Sequence, residues 1–422
     1  VILVAPRARL SAWRSDQTRL PREAWVLIGA NVVSALGYGV VSPVLPAFAR
    51  TFGVSLGSVT FAITMFSVMR LCCAPPSGLL VQRFGERPVY LAGLLIGSVS
   101  TAACAFVQNY WELLVCRAIG GIGSTMFFIS ALGLMIRISP VDARGRVAGL
   151  FASSFLIGLV AGPLMGSLTA GFGLRAPFLI YGAVTMLTAV VVSYSLRRST
   201  LHMPGEENHA EVTVRTALRH RAYRSALVSN FATGWSVFGL RMAVVPLFIS
   251  DVLGRGPRMI GLTLALFAVG NVAVVLPSGY LSDRIGRRLL LIGGLLASGV
   301  ATIALGASSS LTIFLVVACV AGAASGVFAS PQQAAIADIL GNAARAGTAV
   351  AAFQMMADLG AIVGATAVAQ IAEHFGYGWG FTISGVIMLA AAVVWMFAPE
   401  TQCAPAVPAV DVGATGTASE LA

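Results

Sequence analysis

A ten-residue pattern occurs twice in this chain, each time between two long apolar runs, and it constrains the fold more than any other feature. In the second half it reads Gly279-Tyr280-Leu281-Ser282-Asp283-Arg284-Ile285-Gly286-Arg287-Arg288. A degraded copy, Gly78-Leu79-Leu80-Val81-Gln82-Arg83-Phe84-Gly85-Glu86-Arg87, lies 201 positions earlier. A helix needs about 20 apolar residues to cross the hydrocarbon core of a bilayer, and both copies are flanked by runs of that length. Each copy therefore predicts a tight, charged hairpin between two membrane helices. A chain carrying it twice predicts two homologous bundles.

Composition agrees. Only 10% of the residues are charged and 57% are hydrophobic, whereas about a quarter of an ordinary soluble protein is charged. Walking the chain gives about twelve candidate spans, near 25–48, 57–81, 88–108, 111–136, 147–171, 176–196, 224–250, 259–282, 289–308, 311–337, 347–371 and 377–397. The expected class is an all-α membrane protein of about twelve transmembrane helices in two pseudo-symmetric six-helix bundles.

The expected organisation is a cytoplasmic N-terminal segment (1–24), an N-terminal bundle (25–196), a cytoplasmic linker (197–223), a C-terminal bundle (224–397) and a disordered cytoplasmic tail (398–422). The run after residue 24 is too long for a signal-peptide core. The repeat extends past the hairpins: Gly158 and Gly162 match Gly360 and Gly364 at an offset of 202.

The net charge of +11 is topology rather than a nucleic-acid footprint. Every basic residue is arginine, and most fall in segments that share one side of the membrane, among them Arg7, Arg83, Arg87, Arg144, Arg197, Arg221, Arg284, Arg287, Arg288 and Arg345. The opposite loops hold only Arg50, Arg175, Arg255 and Arg258. The excess marks the cytoplasmic side and puts both termini there. No phosphate-binding loop, metal-ligand spacing or hydrolytic triad is present, so neither an enzyme nor a bound cofactor is expected. The six cysteines read as small packing residues.

The ordered Gly, Asp, Arg, Gly, Arg, Arg string of the hairpins is more than charge anchoring requires, and on it the chain resembles the major facilitator superfamily. The first copy departs from that family at Gln82, where the resemblance implies an Asp in a charge contact that stabilises the outward-open state. Asp142 and Arg144, in the loop after the fourth span, are expected neighbours, and Glu86 is a candidate to compensate. In the fifth span, Gly158, Gly162, Pro163 and Gly166 put three glycines on one helical face. Alone this is a helix-packing device. With Gly-Pro in its middle it is similar to the antiporter motif of the drug:proton exporters, Ser167 standing where a second glycine is usual. Gly37 to Pro46 of the first span resembles that branch's first-helix motif.

Arg117, followed by Gly120, Gly121 and Gly123, is similar to the fourth-helix motif, whose arginine the resemblance implicates in proton coupling. The alternative is an arginine near the helix end that snorkels. The other charges within spans are Arg70, Arg241 and Asp358, functional candidates because ionisable groups at membrane depth are costly. Asp358 is the best protonatable group, with a structural cap paired to Arg345 or a hairpin arginine as the competing reading. Asp338 and Glu112 are expected at the interface. Asn31, Tyr38, Asn230, Trp235, Asn271 and Gln354 are candidate pathway-lining side chains.

The resemblance implies a secondary transporter, acting as a monomer, that exports small molecules by alternating access against inward proton flow. Uptake of a small anionic nutrient, with Arg70 or Arg241 as ligand, is the alternative on the same fold. A non-transporting sensor or assembly subunit is a third reading. Absence of lysine with high Ala and Gly is compatible with a bacterial inner membrane.

Overall fold

The computed structural model describes residues 22–54, 56–138, 172–197, 213–255, 257–341 and 346–402, together with 147–151, 153–155, 158, 161, 162, 165 and 169. Among these there is no strand. Ten helices among the described residues are long and apolar enough to cross a membrane. The second to fourth spans run Leu56–Phe84, Glu86–Cys104 and Tyr110–Ile138, and the sixth runs Ala176–Arg197. The seventh is composite, with helix Arg221–Thr233, a π-helical stretch Gly234–Val244 and helix Val245–Asp251. The eighth to twelfth run Pro257–Ile285, Arg287–Gly306, Leu311–Leu340, Gly347–Phe375 and Tyr377–Met396. A helix Arg22–Arg50 occupies the place of the first predicted span, and the described residues at the place of the fifth are helical.

Packing follows the repeat. The third span lies against the fourth and sixth, as the ninth lies against the tenth and twelfth; the second packs on the fourth as the eighth packs on the tenth. Both hairpins turn on glycines with left-handed φ, 83° at Gly85 and 99° at Gly286, where a side chain would strain the backbone. The second span meets the eleventh backbone to backbone. A Cβ on Gly78 would lie 2.8 Å from the Gly347 carbonyl, and one on Gly347 would lie 2.5 Å from that of Gly78. The two halves are thus pressed together at the hairpin end, and one apolar cluster, including Val81, Ile129, Phe328 and Phe353, runs across the join.

Two boundaries differ from expectation. The tail does not begin disordered at 398, because Ala398 and Thr401 are buried and the Glu400 carboxylate accepts from the backbone N–H groups of Arg287 and Arg288 at 2.8 and 3.1 Å. The described end of the linker is packed as well. Thr213 caps a short helix, Val214–Ala217, and buried Tyr223 donates to the Ala349 carbonyl at 2.7 Å. Asp338 lies two residues from the end of its span, as expected, and there it is buried against Arg287. Glu112 does sit exposed at a helix start, where it accepts from Gln108 N and Asn109. The expectations placed on Asp142, Arg144, Pro163, Gly166, Arg345 and the segments 1–21 and 403–422 lie outside the described residues.

Candidate functional site

A cavity of about 330 Å³ lies between the halves. Its first-half wall is arginine and aromatic, with Arg70 and Phe66 from the second span, Arg117 and Phe128 from the fourth, and Tyr181 from the sixth. Its second-half wall adds, among small and apolar side chains, five carboxamides and one acid: Asn230, Asn271, Gln332, Gln333, Gln354 and Asp358.

The two walls are joined by an ion pair. Arg70 Nη2 lies 3.0 Å from Asp358 Oδ1 and 3.3 Å from Oδ2, and its other terminal nitrogen donates to Ser124 Oγ at 3.2 Å. Both side chains are almost withdrawn from water, at 11% and 13% exposure. The guanidinium also sits 4.9 Å from the Phe128 ring centre, a favourable place for a cation. Asp358 is bonded to Arg70 rather than to a hairpin arginine. It is paired inside the cavity with a residue 288 positions away. Removing two charges from water is expensive, and the geometry offsets this only while both partners stay charged.

Arg117 lies in the cavity wall with its guanidinium 4.4 Å from the Phe66 ring centre. The glycines after it make this approach feasible, since a Cβ on Gly121 would meet the Phe66 carbonyl at 2.5 Å. Thr125 donates to the Arg70 carbonyl at 2.9 Å and fixes the register of the same two helices.

On the opposite wall the hydrogen bonds form a chain that assigns each amide. Asn230 Nδ2 donates to the Phe353 carbonyl at 2.6 Å, so its Oδ1 is left to accept from Gln332 Nε2 at 2.8 Å. Gln332 Oε1 then has no partner among the described residues, and neither has Gln333 Oε1. Buried acceptors of this kind ask for a donor from a ligand or water. Gln332 and Gln333 were missed in the sequence; a Pro-Gln-Gln string inside an otherwise apolar tenth span was the available signal.

The remaining candidates fall elsewhere. Asn31 holds the first span to the fifth through the Phe151 carbonyl at 3.1 Å and Ser154 at 2.8 Å. Trp235 donates to Ser384 at 3.0 Å. Arg241 is buried with its guanidinium 3.4 Å from the Phe267 ring centre. None of these three lines the cavity. The backbone of Tyr38 is helical; its side chain lies outside the description. Gly158 packs on Val32 and Ala35 of the first span, and Gly162 is buried. In the hairpins Gly279 is buried, Arg83 and Arg284 are exposed, Arg87 is partly buried and Arg288 reaches the Met396 carbonyl.

Comparison with known proteins agrees with this geometry. Tetracycline resistance protein, class C, of Escherichia coli is 29% identical over 294 residues, 64% of this chain and 70% of its own length. Multidrug resistance protein 2 of Bacillus subtilis is 25% identical over 302 residues, 69% of this chain and 74% of its own length. Two solved structures share the fold: the proton:xylose symporter XylE (TM-score 0.75, 16% identity, 90% of this chain and 96% of that one) and a bacterial homologue of the iron transporter ferroportin in an outward-facing state (TM-score 0.76, 15% identity, 89% and 99%). A sequence model of the Major Facilitator Superfamily matches residues 27–243 and again 226–415, one match for each half. The chain therefore belongs to the major facilitator superfamily of membrane transporters.

Proposed function

We propose that this transporter exports small organic molecules across a bacterial inner membrane in exchange for protons, with Asp358 as the proton carrier. The observation that carries the reading is the Arg70–Asp358 pair, which ties the two halves inside the cavity. Protonation of Asp358 removes one of the two charges, and with it most of the attraction that holds that link together. A proton arriving from outside thus favours separation of the walls, and its loss to the cytoplasm favours their return. Differential stabilisation of two states by one ligand is all that coupling requires. Arg117, a second fixed charge in the same cavity, biases where the proton and substrate can reside.

The excess of arginine at the hairpin end supports placing that end and both termini in the cytoplasm. Relatives named for tetracycline and multidrug resistance support the export direction. The cargo expected from the walls is amphiphilic. An apolar, aromatic portion fits among Phe66, Phe127 and Phe128, and hydrogen-bond donors fit Gln332 and Gln333. With the ion pair neutral overall, Arg117 leaves the cavity positive, which also supports the second reading, uptake of a small anion.

Accumulation of a varied compound panel in cells expressing the chain, with and without an uncoupler and beside Asp358→Asn, tests the proposal. Lower accumulation of some compounds, restored by both treatments, is the expected result. Raised accumulation of anions would select uptake instead, and unchanged accumulation of every compound would remove the export reading.

A further inference from the structure

The two hairpins share a frame, but the charge pair that each makes with the following span is reversed. Positions 82 and 283, 86 and 287, and 137 and 338 are each 201 apart. In the second half Arg287 sits between two acids. Its Nε lies 3.0 Å from Asp338 Oδ2 and its Nη1 lies 2.5 Å from Asp283 Oδ1, with the arginine side chain 1% exposed. In the first half the matching bond runs between Glu86 and Arg137, Oε2 to Nη1 at 3.1 Å. The acid now stands on the third span and the arginine on the fourth, the reverse of the ninth and tenth. Gly133, where the second half has Ala334, leaves room for the Glu86 stem, since a Cβ there would lie 3.0 Å from Glu86 Cγ.

This reversal explains Gln82. Position 283 can hold an aspartate because the residue four later is Arg287. With Glu86 at the matching place, an aspartate at 82 would set two carboxylates where the second half has an ion pair. Like charges at such a distance repel strongly when partly withdrawn from water. A neutral carboxamide avoids this, and its Nε2 donates at 2.9 Å to Thr348 Oγ1 on the eleventh span, across the join between the halves. The Glu86–Arg137 pair faces the same join, in a crevice completed by Gly341, Ala346, Gly347 and Val350 of the second half.

We infer that residues 82, 86 and 137 form a charge-inverted lock, in which the Glu86–Arg137 pair seats the third and fourth spans and Gln82 clasps the opposite half at Thr348. The three act as one unit: exchanging the charges at 86 and 137 preserves the lock, and an aspartate at 82 suits only the exchanged form. They are positioning residues for closure of the hairpin end and touch no substrate, so the inference stands or falls apart from any assignment of cargo or coupling ion.

The test uses the full-length protein in membrane vesicles. The thermal midpoint is read together with labelling of Ala346→Cys by a membrane-impermeant maleimide offered to both faces. Glu86→Arg and Arg137→Asp alone are expected to lower the midpoint and raise labelling several-fold. The double exchange is expected to return labelling to within about twofold of the parent, as coupled neighbours do. Gln82→Asp should raise labelling in the parent and leave it unchanged, or lower it, in the double exchange. Thr348→Val should raise labelling in the parent without a matching loss of thermal midpoint, which separates a clasp from general packing. Where a single variant yields no folded protein, recovery of folded yield in the double exchange is the reading. A double exchange no better than the worse single variant, or a Gln82→Asp effect of equal size in both backgrounds, overturns the inference.

Discussion

The first and seventh spans open the two halves, and each begins with the same inward attachment. Asn31 donates to the Phe151 carbonyl of the fifth span, and Asn230 donates to the Phe353 carbonyl of the eleventh. At the very next residue each helix is pressed by a glycine of that same partner. A Cβ on Gly158 would lie 2.6 Å from the Val32 carbonyl, and one on Gly360 would lie 2.1 Å from that of Phe231. Beyond this point they diverge. Residues 22–50 continue as an α-helix, while the seventh span widens into a π-helical stretch at Gly234–Val244. The amide oxygens of the clamp are used differently too: Asn31 Oδ1 has no hydrogen-bond partner among the described residues, whereas Asn230 Oδ1 accepts from Gln332 and so extends the clamp into the cavity wall. Duplication supplied the scaffold twice, and among the described residues only the second copy connects its scaffold to the cavity through a buried amide chain.

That asymmetry can be broken deliberately. The largest expected effect comes from the link between unlike walls. Asp358→Asn or Arg70→Gln should reduce proton-driven transport on the order of tenfold or more, measured as proton flux in proteoliposomes, because each leaves its partner buried and uncompensated. Next come the pressing glycines. Gly360→Ala and Gly158→Ala should each lower stability by about 1 to 3 kcal/mol through overpacking, with Gly360 the worse of the two because its new methyl meets a main-chain oxygen at closer range. Thermal midpoints in matched detergent would decide the order. Smaller again is the clamp. Asn230→Ala should cost about 1 kcal/mol and also lower substrate affinity, whereas Asn31→Ala should cost a similar amount and leave affinity alone. Equal effects of the two on affinity would erase the distinction drawn between the copies. The smallest change is expected at Arg241. Its Nη1 has no hydrogen-bond partner among the described residues and it faces Phe267 rather than the cavity. Arg241→Met should therefore hold or raise the thermal midpoint by about 1 kcal/mol equivalent and barely alter transport.

Much of this architecture is legible in the sequence because its signals are local. Apolar length gives the spans, and Gly85 and Gly286 mark turns that only glycine makes easily. The pairing of charges is not local. Nothing near Asp358 in the chain points to Arg70, and nothing near Gln82 points to Thr348, since each bond joins helices from different halves. Even the strongest motif misleads in part. Gln82 reads as the loss of an ion pair, yet its neighbour Glu86 has reversed as well, and the significance of that change depends on Arg137, which lies at the far end of another helix. The π-helical stretch has no sequence signature either; it arises where Gly234 meets the Ala357 carbonyl at a distance no side chain would allow. Glu400 looks like part of a polar tail until the hairpin it caps is folded beneath it.

The contact of Gly78 with Gly347 has a consequence for how this carrier moves. Where main chain meets main chain there is no rotamer to rearrange, so that contact does not open by side-chain motion alone. It parts only when whole helices travel as bodies, which makes the passage between closed and open an all-or-none event. Side chains around such a seal set how often it opens. They do not set how far.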